Sequence, residues 1–302
     1  MVSQASTTIG RFAPSPSGPL HFGSLVAAVG SYLDARSQGG QWLVRMEDID
    51  PPREQPGAAD DILRTLDLFG LHWDGPVMYQ SQRSEAYNAA LSQLTDRLFY
   101  CTCTRAELRP HGGRYPGTCY QRQSAPDQPS AVRLRGPEQP PVFEDRAAGL
   151  LQLTADDTGT DPVLRRKDGL WAYQLAVVVD DAAQGVTDVV RGHDLLTTTP
   201  VQVWLQQCLA VATPQYLHLP VVTGPDGRKL SKQNHAPAVS VADRDWLLSG
   251  AMRVLGLTPD PDLAGDELLP WAIRHWAERR PSANEITIEP DLGNGRSALC
   301  QP

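Results

Sequence analysis

The stretch Gly10–Ser24, GRFAPSPSGPLHFGS, constrains the chain more than any other. A short apolar lead, Thr7 to Ile9, predicts a strand. Pro14, Pro16, Gly18 and Pro19 stiffen the turn after it, and His-Phe-Gly-Ser opens a helix expected over Ser24 to Gln38. Strand, rigid turn and helix N-terminus make a phosphate site, because unpaired backbone N–H groups and the positive end of the helix dipole face the loop. Gly23 lets a nucleotide lie against the backbone, and His21 can donate to a phosphate oxygen. Neither GxxxxGK[ST] nor GxGxxG is present. Taken alone, the stretch fits a capped Pro-rich loop equally well.

Lysine usage adds a second constraint. The basic residues are almost all Arg, yet Lys229 and Lys232 sit together in Lys-Leu-Ser-Lys, just after Gly224, Pro225 and Gly227. Compact ammonium groups on a turn suit the handling of phosphates. Between these two stretches, Trp42 to Met46 predicts a buried strand, which delivers Arg45-Met-Glu47-Asp48-Ile-Asp50 at its carboxyl end, stopped by Pro51-Pro52. Charged groups at a strand end are placed to recognise an amino group. Amphipathic helices are expected over Asp60–Phe69 and Arg83–Tyr100, and strand–helix alternation argues a parallel sheet with crossover helices.

The middle of the chain breaks that pattern. Cys101, Cys103 and Cys119 offer three thiolates, one short of a structural zinc set. His111 and Tyr115 lie between them as candidates for the fourth position, and spacing alone favours His111, the commoner ligand type. Ala131–Arg135 and Val142–Arg146 are expected to form a β pair within this insert, followed by the basic run Arg165-Arg166-Lys167. The apolar pattern returns at Leu170. Val186–Arg191 and Tyr216–Val222 predict strands, with a helix started by Thr198 or Thr199 before Pro200 and running over Val201–Val211. Asp243–Leu255 and Glu267–Arg279 predict helices, and the last twenty residues a frayed tail.

Four spans follow: 1–100 and 170–240 as the halves of a nucleotide-binding α/β domain, 101–169 as a zinc-bearing insert, and 241–302 as a short helical region. The N-terminus lacks a basic region and an apolar core, so it does not read as a secretory signal. Clustered cysteines without an export signal imply a reducing cytoplasm, and no apolar run is long enough to span a membrane. A net charge of −8 argues against sequence-independent coating of nucleic acid, while leaving room for a local basic groove.

Three of these segments together resemble one family. Arg11-Phe-Ala-Pro-Ser-Pro-Ser-Gly18-Pro-Leu-His21-Phe-Gly23-Ser24 is similar to the HIGH region of class I aminoacyl-tRNA synthetases. Lys229-Leu-Ser-Lys232-Gln233 is similar to their KMSKS loop, and Arg45-Met-Glu47-Asp48-Ile-Asp50 resembles a segment of the glutamyl enzymes. The likeness covers residues 7 to 240. It departs at Ser24, which stands where HIGH has its second His, and at Leu230 and Gln233. Ser24 is expected to act as helix cap and hydroxyl donor near the nucleotide.

The resemblance implies a Rossmann-like α/β fold with a zinc-bearing insert between its halves. It implies ATP-dependent activation of L-glutamate with Mg2+, followed by transfer to tRNA. His21, Lys229 and Lys232 are the implied catalytic residues, with His21, Gly23, Ser24 and Lys232 holding ATP. Arg11, Ser15, Glu47, Tyr173 and Arg191 are implied to bind glutamate, Glu47 taking the ammonium and the two arginines clamping carboxylates. Cys101, Cys103, Tyr115 and Cys119 match the family's zinc ligands, which displaces His111. The chain ends soon after the Lys loop, leaving no room for an anticodon-binding domain. That points to a short branch of the glutamyl enzymes that attaches glutamate to the queuosine base at the wobble position of tRNA(Asp). A truncated enzyme charging the tRNA 3′ end, or a binding module without turnover, are the alternatives.

Overall fold

In the computed structural model, residues 7–111, 115–154, 157, 161–223 and 237–279 are described, together with the backbone of 286–287. The main sheet has seven strands. Across it lie, in order, β3 (Met78–Tyr79), β2 (Gln41–Met46), β1 (Ile9–Phe12), β9 (Asp188–Gly192), β10 (Gln215–Leu219), β6 (Phe143–Asp145) and β7 (Gly149–Leu151). The first five of these run parallel. β1 and β9 are neighbours, so the chain builds outward from the centre in both directions. A ligand crevice is expected where the strand order reverses in this way, at the carboxyl ends.

α1 (Phe22–Ser37) packs into the largest core with Leu25, Val29 and Leu33 fully buried. On its other side lie the helices Arg244–Val254 and Leu268–His275, as the sequence predicts. Burial on all sides explains why α1 is apolar almost all round, and each such side chain contributes about 1.5–3 kcal/mol. Gly30 permits the close approach, since a Cβ there would stand 2.5 Å from Leu219 Cδ1. Trp42 on β2 stacks on Phe12 and donates its indole N–H to Ser31 Oγ at 3.0 Å, which fixes α1 to the sheet. The two strands meet at Gly40, where a Cβ would fall 2.4 Å from the Thr8 carbonyl oxygen.

α2 (Ala58–Leu68) matches its expected span. The helix expected over Arg83–Tyr100 is shorter: α3 covers Ser84–Gln93, and Leu98–Cys101 forms β4. Leu98, Phe99 and Tyr100 favour a strand more than a helix, and β5 (Ala131–Leu134) offers them an antiparallel partner. The β pair expected between 131–135 and 142–146 does not form. β5 pairs with β4 and with β8 (Val163–Arg165) in a separate three-stranded sheet. β6 instead joins the main sheet, parallel to β10, and turns back into β7. Periodicity gives strands but not their partners, so part of the expected insert lies in the main sheet.

The helices Tyr173–Ala183 and Thr199–Cys208 flank β9, the second with Pro200 in its first turn as expected. The tail also differs from expectation: Ile286–Thr287 (β12) pairs in parallel with Val222–Thr223 (β11) rather than fraying there. Among the described residues no helix is long and apolar enough to cross a membrane.

Candidate active site and metal centre

A cavity of about 770 Å³ opens at the carboxyl ends of the parallel strands. Its lining gathers Arg11, Ser15, His21, Gly23, Ser24, Glu47, Tyr173 and Arg191, so every described residue expected to bind glutamate or ATP faces one space. Lys229 and Lys232 lie outside the described residues. Their flanks are at the cavity: Val221 and Val222 line it, Ala238 forms a bridge with His21, and the Val239 N–H donates to the Leu20 carbonyl at 2.9 Å.

α1 begins at Phe22, two residues before its expected start at Ser24. His21, not Ser24, is the N-cap, and its Nδ1 accepts from the Ser24 N–H at 3.2 Å. Ser24 Oγ in turn accepts from the His21 N–H at 2.8 Å and donates to the His21 carbonyl at 2.7 Å. This reciprocal cap closes the loop onto the helix. Because Nδ1 accepts, the neutral ring carries its proton on Nε2, the nitrogen able to donate to a phosphate oxygen. Ser24 therefore supports His21 through the backbone, and its expected role as N-cap is corrected.

Arg11 is the third residue of β1 and is 3% exposed. Its Nε donates to Asp181 Oδ1 at 3.0 Å and its Nη2 to Oδ2 at 3.4 Å, so the two hydrogens of Nη1 and the second of Nη2 are what Arg11 can offer a ligand. Asp181 also accepts from Arg45 Nη1 at 2.7 Å. Burial pushes the Asp181 carboxyl up, but the Arg11 and Arg45 guanidiniums outweigh it and hold the group below the usual carboxylate range. Arg45 is fully buried at the end of β2, and its Nε and Nη2 lack hydrogen-bond partners among the described residues. Its Nη2 lies 3.7 Å from Glu47 Oε1. Burial raises Glu47 to about 7, although Arg45, Arg11 and Arg191 pull the other way. A half-charged carboxyl beside three cations is ready to accept an ammonium group, whose charge favours ionisation.

Arg191, at the end of β9, is held by neutral acceptors. Its Nε donates to His218 Nε2 at 3.2 Å, Nη1 to Gln202 Oε1 at 2.8 Å and to the Tyr173 hydroxyl at 3.3 Å, and Nη2 to Thr199 Oγ1 at 2.8 Å. Five guanidinium hydrogens against these four bonds leave one hydrogen on Nη2, so a full two-pronged clamp requires Arg191 to release a partner. Burial raises the Tyr173 phenol. Sequence reading missed Asp181, Thr199, Gln202 and His218. The signals were present: a double Asp ending an apolar run, and a His inside an apolar strand, are polar groups that need partners in a core.

In the three-stranded sheet, Cys101 closes β4, and Cys103 and Cys119 come together beside it, their Sγ atoms all within 4.8 Å. Cys103 and Cys119 Sγ are 3.7 Å apart, and the Tyr115 hydroxyl is 3.9 Å from Cys103 Sγ. Tetrahedral zinc with bonds of about 2.3 Å sets sulfurs about 3.8 Å apart, so these donors fit such an ion and are too far apart for a disulfide. Burial pushes the Cys119 thiol up, but hydrogen bonds from Tyr115 and Thr102 and the Arg122 charge bring it down to about 7. Burial pushes Cys103 up to about 11 and raises Tyr115 as well. His111 is exposed on a separate turn and does not join the group.

The family model for the catalytic domain of class I tRNA synthetases (E and Q) matches residues 8–257. A Pseudomonas fluorescens protein named glutamyl-Q tRNA(Asp) synthetase is 50% identical over 279 residues, covering 91% of this chain and 93% of its own length. One of the same name from Dechloromonas aromatica is 54% identical over 280 residues, covering 88% and 93%. The solved glutamate-tRNA synthetase of Elizabethkingia anophelis superposes with a TM-score of 0.72 at 25% identity over 87% of this chain, which spans 65% of that one. By motif order, fold and these relatives, the chain belongs to the class I aminoacyl-tRNA synthetase family of ligases, among the glutamyl-Q tRNA(Asp) synthetases.

Proposed function

We propose that the chain activates L-glutamate with ATP and transfers it to the queuosine base of tRNA(Asp), in the cytoplasm. The observation that supports this best is that the described residues expected to bind glutamate and ATP share one cavity. A helix N-terminus with His21 and Gly23 lies at one part of it, and Arg11, Glu47, Tyr173 and Arg191 lie at another. In the first step the glutamate α-carboxylate attacks the ATP α-phosphorus, forming glutamyl-adenylate as pyrophosphate leaves. Positioning and charge neutralisation carry most of such a step. His21 Nε2–H and the N–H groups opening α1 hold the α-phosphate, and Lys232 with Lys229 neutralises the departing phosphates. Mg2+, when bound with ATP, neutralises phosphate charge.

Arg11 Nη1 and Arg191 Nη2 take the two carboxylates, Glu47 takes the ammonium, and Ser15 and Tyr173 complete the hydrogen bonding. In the second step a hydroxyl of the queuosine cyclopentenediol attacks the acyl carbon of the adenylate, forming an ester as the acyl–phosphate bond breaks and AMP and a proton leave. Zn2+ on Cys101, Cys103, Tyr115 and Cys119 would cross-link the end of β4 to the turn carrying Cys119, which stiffens the insert where RNA approaches. The spans 1–100, 101–169, 170–240 and 241–302 serve as working divisions, with β6 and β7 lending part of the insert to the main sheet.

The deciding experiment presents radiolabelled glutamate and ATP to tRNA(Asp) with and without queuosine, then maps the label. Label on the anticodon loop of queuosine-bearing tRNA alone is the expected result. Label at the 3′ end of either tRNA would establish a charging enzyme instead, and no glutamate-dependent ATP–pyrophosphate exchange would leave a binding module.

A further inference from the structure

Arg191 meets a buried chain of polar groups that runs away from the cavity. His218, on β10, is 2% exposed, and Asp145, at the end of β6, is 1% exposed. Asp145 Oδ2 accepts from the His218 backbone N–H at 2.9 Å and faces the ring Nδ1 at 2.7 Å. Its Oδ1 accepts from the N–H groups of Ala147 and Ala148, both at 2.9 Å. Each carboxylate oxygen thus faces two donors, and the group is ionised: burial raises it, but the His218 ring and these backbone N–H groups bring it below the usual range.

These partners fix the ring's proton. Facing a saturated carboxylate, Nδ1 must carry hydrogen. Nε2 faces Arg191 Nε–H at 3.2 Å, a group that only donates, and the Thr199 hydroxyl at 3.1 Å, which can turn its own hydrogen to the Leu195 carbonyl, so Nε2 presents its lone pair to Arg191. A protonated ring would set donor against donor and cation against cation in a buried place. The other tautomer would do the first of these. Asp145 therefore selects the one ring state that can accept from Arg191.

We infer that Asp145 and His218 are positioning residues for glutamate recognition: the carboxylate fixes the His218 tautomer, and the ring holds Arg191 with Nη2 turned to the cavity. Neither residue touches the ligand. Gln202 and Thr199 secure the Nη atoms, and His218 alone secures Nε, which sets the plane of the guanidinium. The geometry also gives the segment 143–145 a reason to leave the smaller sheet, since only beside β10 can Asp145 reach His218. This inference rests on the proposed role of Arg191 toward a glutamate carboxylate.

The test is glutamate-dependent ATP–pyrophosphate exchange by the full chain, with KM measured separately for glutamate and ATP. Arg191→Gln tests the underlying role. His218→Phe keeps the shape of the ring and removes the acceptor, while His218→Gln places an amide oxygen near where Nε2 stood. Losing a hydrogen bond to a charged group corresponds to about a tenfold to hundredfold change. Glutamate KM should rise by that factor in His218→Phe, with kcat changing less and ATP KM within about twofold, and His218→Gln should recover most of the loss.

Asp145→Asn, which lets either tautomer form, should raise glutamate KM less than His218→Phe. It should also shift the His218 ring nitrogen resonances, identified by their absence in His218→Gln. If His218→Phe does not fold, as judged by circular dichroism, Asp145→Asn decides the matter. Wild-type glutamate KM in a folded His218→Phe or Asp145→Asn protein overturns the inference while leaving the Arg191 role intact. Wild-type KM in Arg191→Gln removes the role itself, and the positioning claim with it.

Discussion

Glu47 gives the pocket a pH response whose sign and size follow from its surroundings. Its carboxyl is raised from an ordinary value of 4.5 to about 7 because burial outweighs the attraction of Arg45, Arg11 and Arg191. Only the ionised form attracts the ammonium of glutamate, so the free protein is binding-competent in proportion to the ionised fraction. With a midpoint near neutrality, about one tenth is ionised at pH 6 and about nine tenths at pH 8, and apparent affinity scales with that fraction. Glutamate binding, measured calorimetrically without ATP, should therefore weaken about tenfold from pH 8 to pH 6. The glutamate ammonium does not titrate in this window. Glu47→Gln should bind weakly at both pH values with no slope. Stability moves with the same proton. A folded pKa above the unfolded one gives a contribution fully present below about pH 4.5 and lost as pH rises through about 7, and bound glutamate should offset that loss. A dissociation constant flat within twofold between pH 6 and 8, or a slope that survives in Glu47→Gln, would refute the assignment of Glu47.

Asp181 bridges Arg11 and Arg45 with side-chain exposures of 8%, 4% and 0%, so Asp181→Asn should destabilise by about 3–5 kcal/mol in urea unfolding; a loss below about 1 kcal/mol would show that the two guanidiniums find other partners. Purified protein should carry one zinc per chain, and a chelator should lower the melting temperature and free the three clustered thiols to a thiol reagent; equal thiol reactivity with and without chelator would contradict the metal assignment. Gly40→Ala should cost about 1–3 kcal/mol, because its Cβ would meet the Thr8 carbonyl, which is backbone and has little room to yield; an unchanged melting temperature would show that the edge where β1 meets β2 relaxes freely.

The sequence was most legible where local chemistry dictates local structure. The order of strand, Pro-Gly turn and helix follows from residue type, although the strand expected at Thr7 to Ile9 lies at Ile9–Phe12; Trp42–Met46 and the helix opened by Thr199-Pro200 follow likewise. The exact cap did not, because His and Ser can each accept a backbone N–H, and the choice depends on which geometry the Pro-rich loop delivers. Long-range pairing was the least legible. Val142–Arg146 reads as a strand of either sheet, and only the partner available at β10 decides between them. The supporting polar groups were hidden for a related reason. Asp181, His218 and Gln202 lie in apolar segments where any one of them alone reads as a tolerated core residue, and it is their convergence on Arg11 and Arg191 that gives them a role.

That convergence also implies a charge preference for the proposed glutamate pocket. Arg45, Arg11, Asp181 and Arg191 all act on Glu47. Three guanidiniums against two carboxylates leave one net positive charge when Glu47 is ionised. Glutamate, with two carboxylates and one ammonium, carries one net negative charge and completes the balance. Glutamine has no net charge and would leave a cation without a counter-charge in a buried site, a cost the cluster cannot relieve by deprotonating an arginine. The two arginines nevertheless differ in kind. Arg11 is neutralised by Asp181 and serves a ligand by hydrogen bonding, whereas Arg191 has only neutral acceptors among the described residues and keeps its full charge for the ligand. Discrimination between the carboxylate and the amide should therefore reside chiefly in Arg191, since an uncompensated guanidinium loses the most when its partner is uncharged.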